Sequence, residues 1–154
     1  MNAFKDAVFM NLGDFEDKVV IVTGAGQGMG RAVSEFLSSL GAVVAVNDIR
    51  AVAAENTADH IRSTGGEAEA VQGDVSSSTD VSRVVDFVIK RFGAVHVLVN
   101  SAGVLKPTAV EYIGEEEWDF VVGVNLKGTF LFSKAVLPYM KEEGWGRIVN
   151  FSST

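Results

Sequence analysis

Five short apolar runs, VVIVT (19–23), AVVAVN (42–47), AEAVQ (68–72), VHVLVN (95–100) and RIVNF (147–151), alternate along the chain with segments whose apolar residues recur at helical spacing. No other feature restricts the fold as strongly. The runs have strand length and are rich in β-branched side chains, so they read as strands buried on both faces. The helical patterns cover 28–40, 52–64, 79–92 and a long stretch from 115 to 141, in which Pro138 is expected to kink or shorten the helix. Strand, helix, strand through five strands implies right-handed crossovers. The expected fold is α/β, a doubly wound parallel sheet covered by helices on both sides.

The 154 residues suffice for one domain, and they contain no internal repeat or low-complexity linker. Residues 1–17 stand outside the pattern as a leader. Phe4, Val8 and Leu12 have helical spacing there, a frayed tail is the alternative, and Met10 could itself mark the start. The absence of cysteine removes disulfides and thiolate chemistry. A net charge of −7 without a Lys/Arg cluster argues against nucleic acid or an anionic membrane as the main partner. No apolar stretch is read as long enough to cross a bilayer, so the expected location is cytoplasmic. His60 and His96 lack acidic partners at ligand spacing, and no metal site is expected. His96 reads as a packed core imidazole and Trp145 as the cover of a surface turn.

In open α/β sheets the ligand lies outside the carboxyl ends of the strands. The five runs emerge there onto Thr23-Gly24, Asn47-Asp48, Gly73-Asp74, Asn100-Ser101-Ala102-Gly103 and Ser152-Ser153. The first ending is the most informative. TGAGQGMG (23–30) follows a strand and opens a helix, the context in which glycines let a backbone approach a pyrophosphate. Its spacing is Gly24-x-x-x-Gly28-x-Gly30, with Met29 where the common G-x-G-x-x-G template has glycine. A tight βα turn would use the same glycines, so the turn alone does not decide.

Asp48 adds to the dinucleotide reading. It lies 20 residues after Gly28 at the end of the second run, where an acid can accept the hydroxyls of an adenosine ribose. The same carboxylate opposes a 2′-phosphate, because two unit charges about 4 Å apart repel by roughly 4 kcal/mol at an effective dielectric near 20. Gln27 and Met29 supply no base beside that pocket, and Ile49 follows the acid. NAD is therefore the expected cofactor. Arg31 and Arg50 keep NADP as the minority reading. The sheet is then of the Rossmann type, incomplete at its first five strands.

From Lys18 to Thr154 the chain resembles the short-chain dehydrogenase/reductases. The resemblance rests on the T-G-x-x-x-G-x-G turn, the Asp74-Val75 pair and N-S-A-G in place of the usual N-N-A-G. It also rests on Asn125 in the long helix and on a serine ending the fifth strand. It implies that Gly24–Gly30 hold the pyrophosphate and Asp48 the ribose. Asp74 would bind the adenine amino group with Val75 on the ring, and the Asn100, Ala102 and Gly103 turn would lie along the cofactor. Asn125 would join a proton relay through water. Read from the residues alone, Asn125 falls on an inward stripe with Trp118, Val121, Val122, Leu126, Thr129, Phe132 and Val136, as a buried amide that must find partners. Ser153 matches the serine that holds the substrate oxygen, with Ser152 as runner-up.

The family's acid–base pair is a tyrosine with a lysine four residues later, the lysine lowering the tyrosine's pKa. The tyrosines here are Tyr112 and Tyr139, followed at that spacing by Glu116 and Glu143. The resemblance therefore implies the N-terminal, NAD-binding portion (18–154) of an oxidoreductase acting on a secondary alcohol or ketone. Such a chain is cut before the Tyr-x-x-x-Lys helix and has little turnover by itself. Asn47-Asp48 and Ala102–Leu105 have a faint similarity to 3-hydroxyacyl and 3-oxoacyl thioester reductases. The parent is expected to form a homo-oligomer through the long helix. A non-catalytic nucleotide-binding or interaction module is the competing class.

Overall fold

In a computed structural model, residues 15–152 are described. Expectations for residues 1–14, and for Ser153, lie outside the described residues. Five parallel strands, β1 (Val19–Thr23), β2 (Val43–Asp48), β3 (Glu67–Gln72), β4 (Val97–Asn100) and β5 (Arg147–Asn150), form one sheet in the order β3-β2-β1-β4-β5. Between them run α1 (Gly28–Ser39), α2 (Ala51–Ser63), α3 (Ser78–Phe92), and the pair α4 (Glu115–Val122) and α5 (Gly128–Glu142).

Side chains of β1 alternate between two cores. Val19 and Ile21 pack beneath α3 and α5 with Val84, Val88 and Phe132, whereas Val20 and Val22 meet α1 and α2 through Leu37, Ala58 and Ile61. Burial on both faces holds for β1, β2 and β4 but fails for β3 and β5. Among the described residues those two are the sheet edges. Glu67 and Gln72 of β3 face solvent, and β5 exposes Arg147, Val149 and Asn150, with Ile148 half-buried. An open edge of this kind invites pairing with another strand.

The expected long helix is not one regular α-helix. A π turn at Gly123–Lys127 joins α4 to α5 without a break. Proline does not end the run either: Pro138 lies inside α5, which continues to Glu142. Pro138 and Lys134 are both exposed, so water can satisfy the Lys134 carbonyl that the missing N–H leaves free. The whole run, Glu115–Glu142, spans 28 residues and is long and apolar enough to cross a bilayer, contrary to the expectation that no stretch would be. In this fold its Phe132, Val136 and Met140 are buried on the sheet. Burying Phe132 contributes about 1.5–3 kcal/mol.

The amino-terminal edge of the sheet is closed by His96. Its Nδ1 accepts the Val19 N–H at 2.9 Å, its own N–H donates to the Val19 carbonyl at 2.9 Å, and its carbonyl accepts from Arg147 at 3.0 Å. Trp145 is not just the cover of a turn. It is half-buried, meets the imidazole edge-on at 6.2 Å, and carries Lys18 and Arg147 over its ring. Burial and the Lys18 ammonium hold His96 below its ordinary value of 6.5, with Glu143 opposing. The unfolded chain therefore takes up a proton before the folded one does. The His96 contribution is complete above pH 6.5 and is lost as pH falls below it. The melting temperature is expected to drop as pH falls from 6.5, with a shallower slope for His96→Gln. Identical slopes for the two proteins would contradict this role.

Candidate cofactor-binding site

The chain leaves β1 toward β2 and β3, then returns to place β4 on the other side of β1. That reversal opens a crevice at the carboxyl ends of the strands. The cleft there has a volume of about 360 Å³. Its lining includes Gly24, Gln27, Gly28, Met29 and Gly30 from the first turn, Asp48 and Ile49 after β2, Asp74 and Val75 after β3, and Ala102 and Gly103 after β4. Every sequence-expected cofactor residue except Asn100 is thus on one surface.

Gly24, Gly26 and Gly30 of this turn are sterically required, a Cβ on Gly26 lying 2.6 Å from the Ala53 Cβ. Gly24 has φ +63°, and a Cβ there would lie 2.7 Å from the Ala102 Cα. A Cβ on Gly30 would lie 2.4 Å from the Gly24 carbonyl oxygen. The turn can therefore fold back on itself and sit against the β4 loop only without those side chains. α1 then begins at Gly28 with no side-chain cap from Gln27 and no acid in its first turn. Its orphan N–H groups and positive dipole end suit an anion.

Asp48 is buried, and it is hydrogen-bonded to this turn. Its Oδ2 accepts the Gly26 N–H at 2.9 Å, and its Oδ1 accepts the Arg50 N–H at 3.0 Å with the Arg50 Nε at 3.5 Å. It does not cap α2, whose cap position is Arg50. Each carboxylate oxygen retains accepting capacity.

The Asp74 turn is pinned from several sides. Its Oδ1 accepts from the N–H and hydroxyl of Ser76, both at 2.8 Å, and its N–H donates to Asp80 at 2.9 Å. That hydrogen bond, with Arg83 adding to it, lowers the Asp80 pKa from 3.8. Val75 packs against Gly128, where a Cβ would lie 2.7 Å from its Cγ2.

Asn100 is the exception among the cofactor candidates. Its amide turns sideways to Asn150 Oδ1 (2.8 Å) and the Ser133 hydroxyl (3.4 Å), tying β4 to β5 and α5. The Asn125 expectation also needs correcting, because its side chain is exposed, as are Trp118 and Leu126 of the supposed inward stripe. The π turn rotates this segment out of the α-helical register on which that stripe was drawn. Asn125 instead clamps the β4 loop: Oδ1 accepts from Val104 N–H (2.8 Å) and Nδ2 donates to the Val104 carbonyl (2.9 Å). The amide thus finds its partners in the backbone N–H and carbonyl of one residue, Val104. Ser152 is exposed just past β5.

The role of Thr23, and the presence of two further residues at the site, escape the sequence pattern. The Thr23 hydroxyl, almost fully buried, accepts the Ser101 and Ala102 N–H groups, each at 3.1 Å. A hydroxyl ending a buried strand was the available signal. Phe120 and Val124 reach the cleft from α4 and the π turn, and no local signal marks them. His60 lies 3.7 Å from Glu35 across two helices, and no cluster of three metal-ligating side chains occurs among the described residues.

Comparison with known proteins agrees with this geometry. The family model described as short chain dehydrogenase matches residues 18–154. The chain belongs to the short-chain dehydrogenase family. An uncharacterized oxidoreductase of Thermotoga maritima is 41% identical over 140 residues, covering 91% of this chain and 55% of that protein. The peroxisomal multifunctional enzyme type 2 of Drosophila melanogaster is 39% identical over 148 residues, 90% of this chain and 24% of that enzyme. The (2S)-[(R)-hydroxy(phenyl)methyl]succinyl-CoA dehydrogenase subunit BbsD of Thauera aromatica is 36% identical over 138 residues, 90% and 56% respectively. The chain thus spans about half, or less, of the length of these relatives. Within the family pattern, the departure at Ser101 falls where the backbone N–H makes the contact to Thr23.

Proposed function

We propose that this short-chain dehydrogenase chain is the NAD-binding portion (18–154) of an oxidoreductase that moves a hydride between the nicotinamide and a secondary alcohol or ketone. One observation carries the reading: the glycine turn and the buried Asp48 are joined by the hydrogen bond to Gly26, so a turn suited to a pyrophosphate and an acid suited to a ribose line one preformed cleft. The residues fit the cofactor, since the cleft is open at Gly28, where a Cβ would meet nothing within 4 Å, and the first turn of α1 offers backbone donors.

Bound NAD supplies the hydride acceptor. The Gly24–Gly30 amides would donate hydrogen bonds to the pyrophosphate, Asp48 would accept the ribose hydroxyls, and Asp74 and Val75 would face the adenine. Asn125 steadies the β4 loop, and Ser153 holds the substrate oxygen. NADP is the second reading, supported by Arg50 beside Asp48. A 3-hydroxyacyl or 3-oxoacyl thioester is the favoured substrate class, in keeping with the CoA ester named for the Thauera relative. The parent enzyme acts in the cytoplasm, and it assembles as a homo-oligomer through the outer face of α4, the π turn and α5, where Trp118, Leu126 and Phe130 are exposed.

Neither tyrosine of the 154 residues has a lysine four positions later. The chain alone is therefore expected to bind NAD without turnover. Purified chain, NAD and a set of 3-hydroxyacyl thioesters and secondary alcohols should give no NADH absorbance above background. An ordinary enzymatic rate would overturn the assignment of acid–base catalysis to a Tyr-x-x-x-Lys pair.

A further inference from the structure

Asn47 is a fully buried amide at the end of the valine-rich strand β2. Val or Leu would suit that burial, and the amide is only partly satisfied. Nδ2 donates to the Val71 carbonyl at 2.9 Å and the Gly73 carbonyl at 3.3 Å, while Oδ1 has no partner. A buried acceptor left unpaired is unfavourable, and such defects concentrate where function needs the rest of the group.

The remaining contacts of Asn47 show what it connects. Its backbone carbonyl accepts the Ala25 N–H at 2.9 Å, inside the glycine turn. Its side chain holds the carbonyl of Gly73, the residue before Asp74, and the Gly73 N–H donates to the Asp48 carbonyl at 3.1 Å. One residue thereby ties the phosphate-facing turn to the Asp74–Val75 wall. A flipped amide would bring an oxygen against two carbonyls and lose both donor bonds.

We propose that Asn47 is a positioning residue that sets the adenine wall of the cleft relative to the glycine turn. The inference rests on the NAD reading above. Asn47 borders the cleft, but its Oδ1 is buried without a partner, and the side chain acts through the Val71 and Gly73 carbonyls that Nδ2 holds. Its effect is to fix where Gly73, and with it Asp74 and Val75, stands.

The test uses Asn47→Val and Asn47→Thr in the whole chain, with calorimetric titration of NAD, AMP and nicotinamide mononucleotide, and amide hydrogen exchange. Valine removes both donor bonds and the orphan acceptor together, so the fold should survive. AMP and NAD are expected to bind Asn47→Val about tenfold more weakly. Nicotinamide mononucleotide should be unchanged, and the Asp74–Ser76 amides should lose exchange protection. Threonine, which retains a donor, should restore part of the affinity. If Asn47→Val does not fold, Asn47→Thr decides: weaker AMP binding with unchanged mononucleotide binding supports the role, and wild-type AMP binding overturns it. Wild-type AMP affinity in a folded Asn47→Val also overturns it. Equal weakening of AMP and mononucleotide overturns it too, because that is the mark of general loosening. A wild-type chain that binds neither NAD nor AMP defeats the cofactor reading and this inference together, whereas normal wild-type binding with unaffected variants defeats only the inference.

Discussion

Gly30→Ala is expected to weaken NAD binding by at least about 100-fold and to lower the melting temperature by several degrees. The added methyl would sit 2.4 Å from the Gly24 carbonyl oxygen and 3.0 Å from the Ala25 Cα, both backbone atoms. No side chain can rotate away to make room. The turn must open or α1 must move off the sheet, and either displaces the amides that face the pyrophosphate. Overpacking of this kind costs about 1–3 kcal/mol. Gly114→Ala is the control, because a methyl there meets nothing within 4 Å and the residue has φ −76°. Calorimetric titration and thermal melts of the two variants separate a specific clash from any glycine loss. Wild-type affinity in Gly30→Ala would mean that the ligand does not use this turn.

Asp48→Asn is expected to shift the ratio of NAD to NADP affinity by about 100-fold toward NADP. The estimate follows from removing a repulsion of roughly 4 kcal/mol at an effective dielectric near 20, discounted for solvent in the open cleft. The substitution also releases Arg50 from its ion pair, at 3.5 Å from Oδ1 in the native chain, so that its guanidinium can meet a 2′-phosphate. Asparagine has nearly the shape of aspartate and still offers one oxygen to the Gly26 N–H. Melting of the unliganded variant should therefore change much less than its cofactor preference. Parallel titrations with NAD and NADP measure the ratio. A ratio identical to that of the native chain would remove Asp48 from the ribose site.

The sheet was legible because its central strands are buried on both faces and so consist almost wholly of apolar residues. β1, with Val19, Val20, Ile21 and Val22, is the clearest case. Edge strands obey different rules. β5 has the same apolar look as β1, yet Val149 is exposed, because edge position is a property of the sheet and not of the strand. The cleft was readable wherever one local turn makes a wall, as in Gly24–Gly30 or Asp74–Val75. It was unreadable where a contact joins distant segments: the Thr23 hydroxyl bonds a loop 78 positions away, and Asn100 reaches Asn150 across 50. Asn125 failed for another reason. Helical-wheel reasoning assumes 3.6 residues per turn, and a π turn sits across that residue. The valine-rich β2 likewise gave no hint that Asn47 ties two walls of the cleft together.

The most direct measurement is fluorescence titration of the 154-residue chain with NADH, using AMP as competitor. Saturable NADH binding that AMP displaces, and that Gly30→Ala abolishes, is the expected result. Absence of binding by a folded chain, or binding indifferent to both AMP and Gly30→Ala, would contradict a dinucleotide site in this cleft.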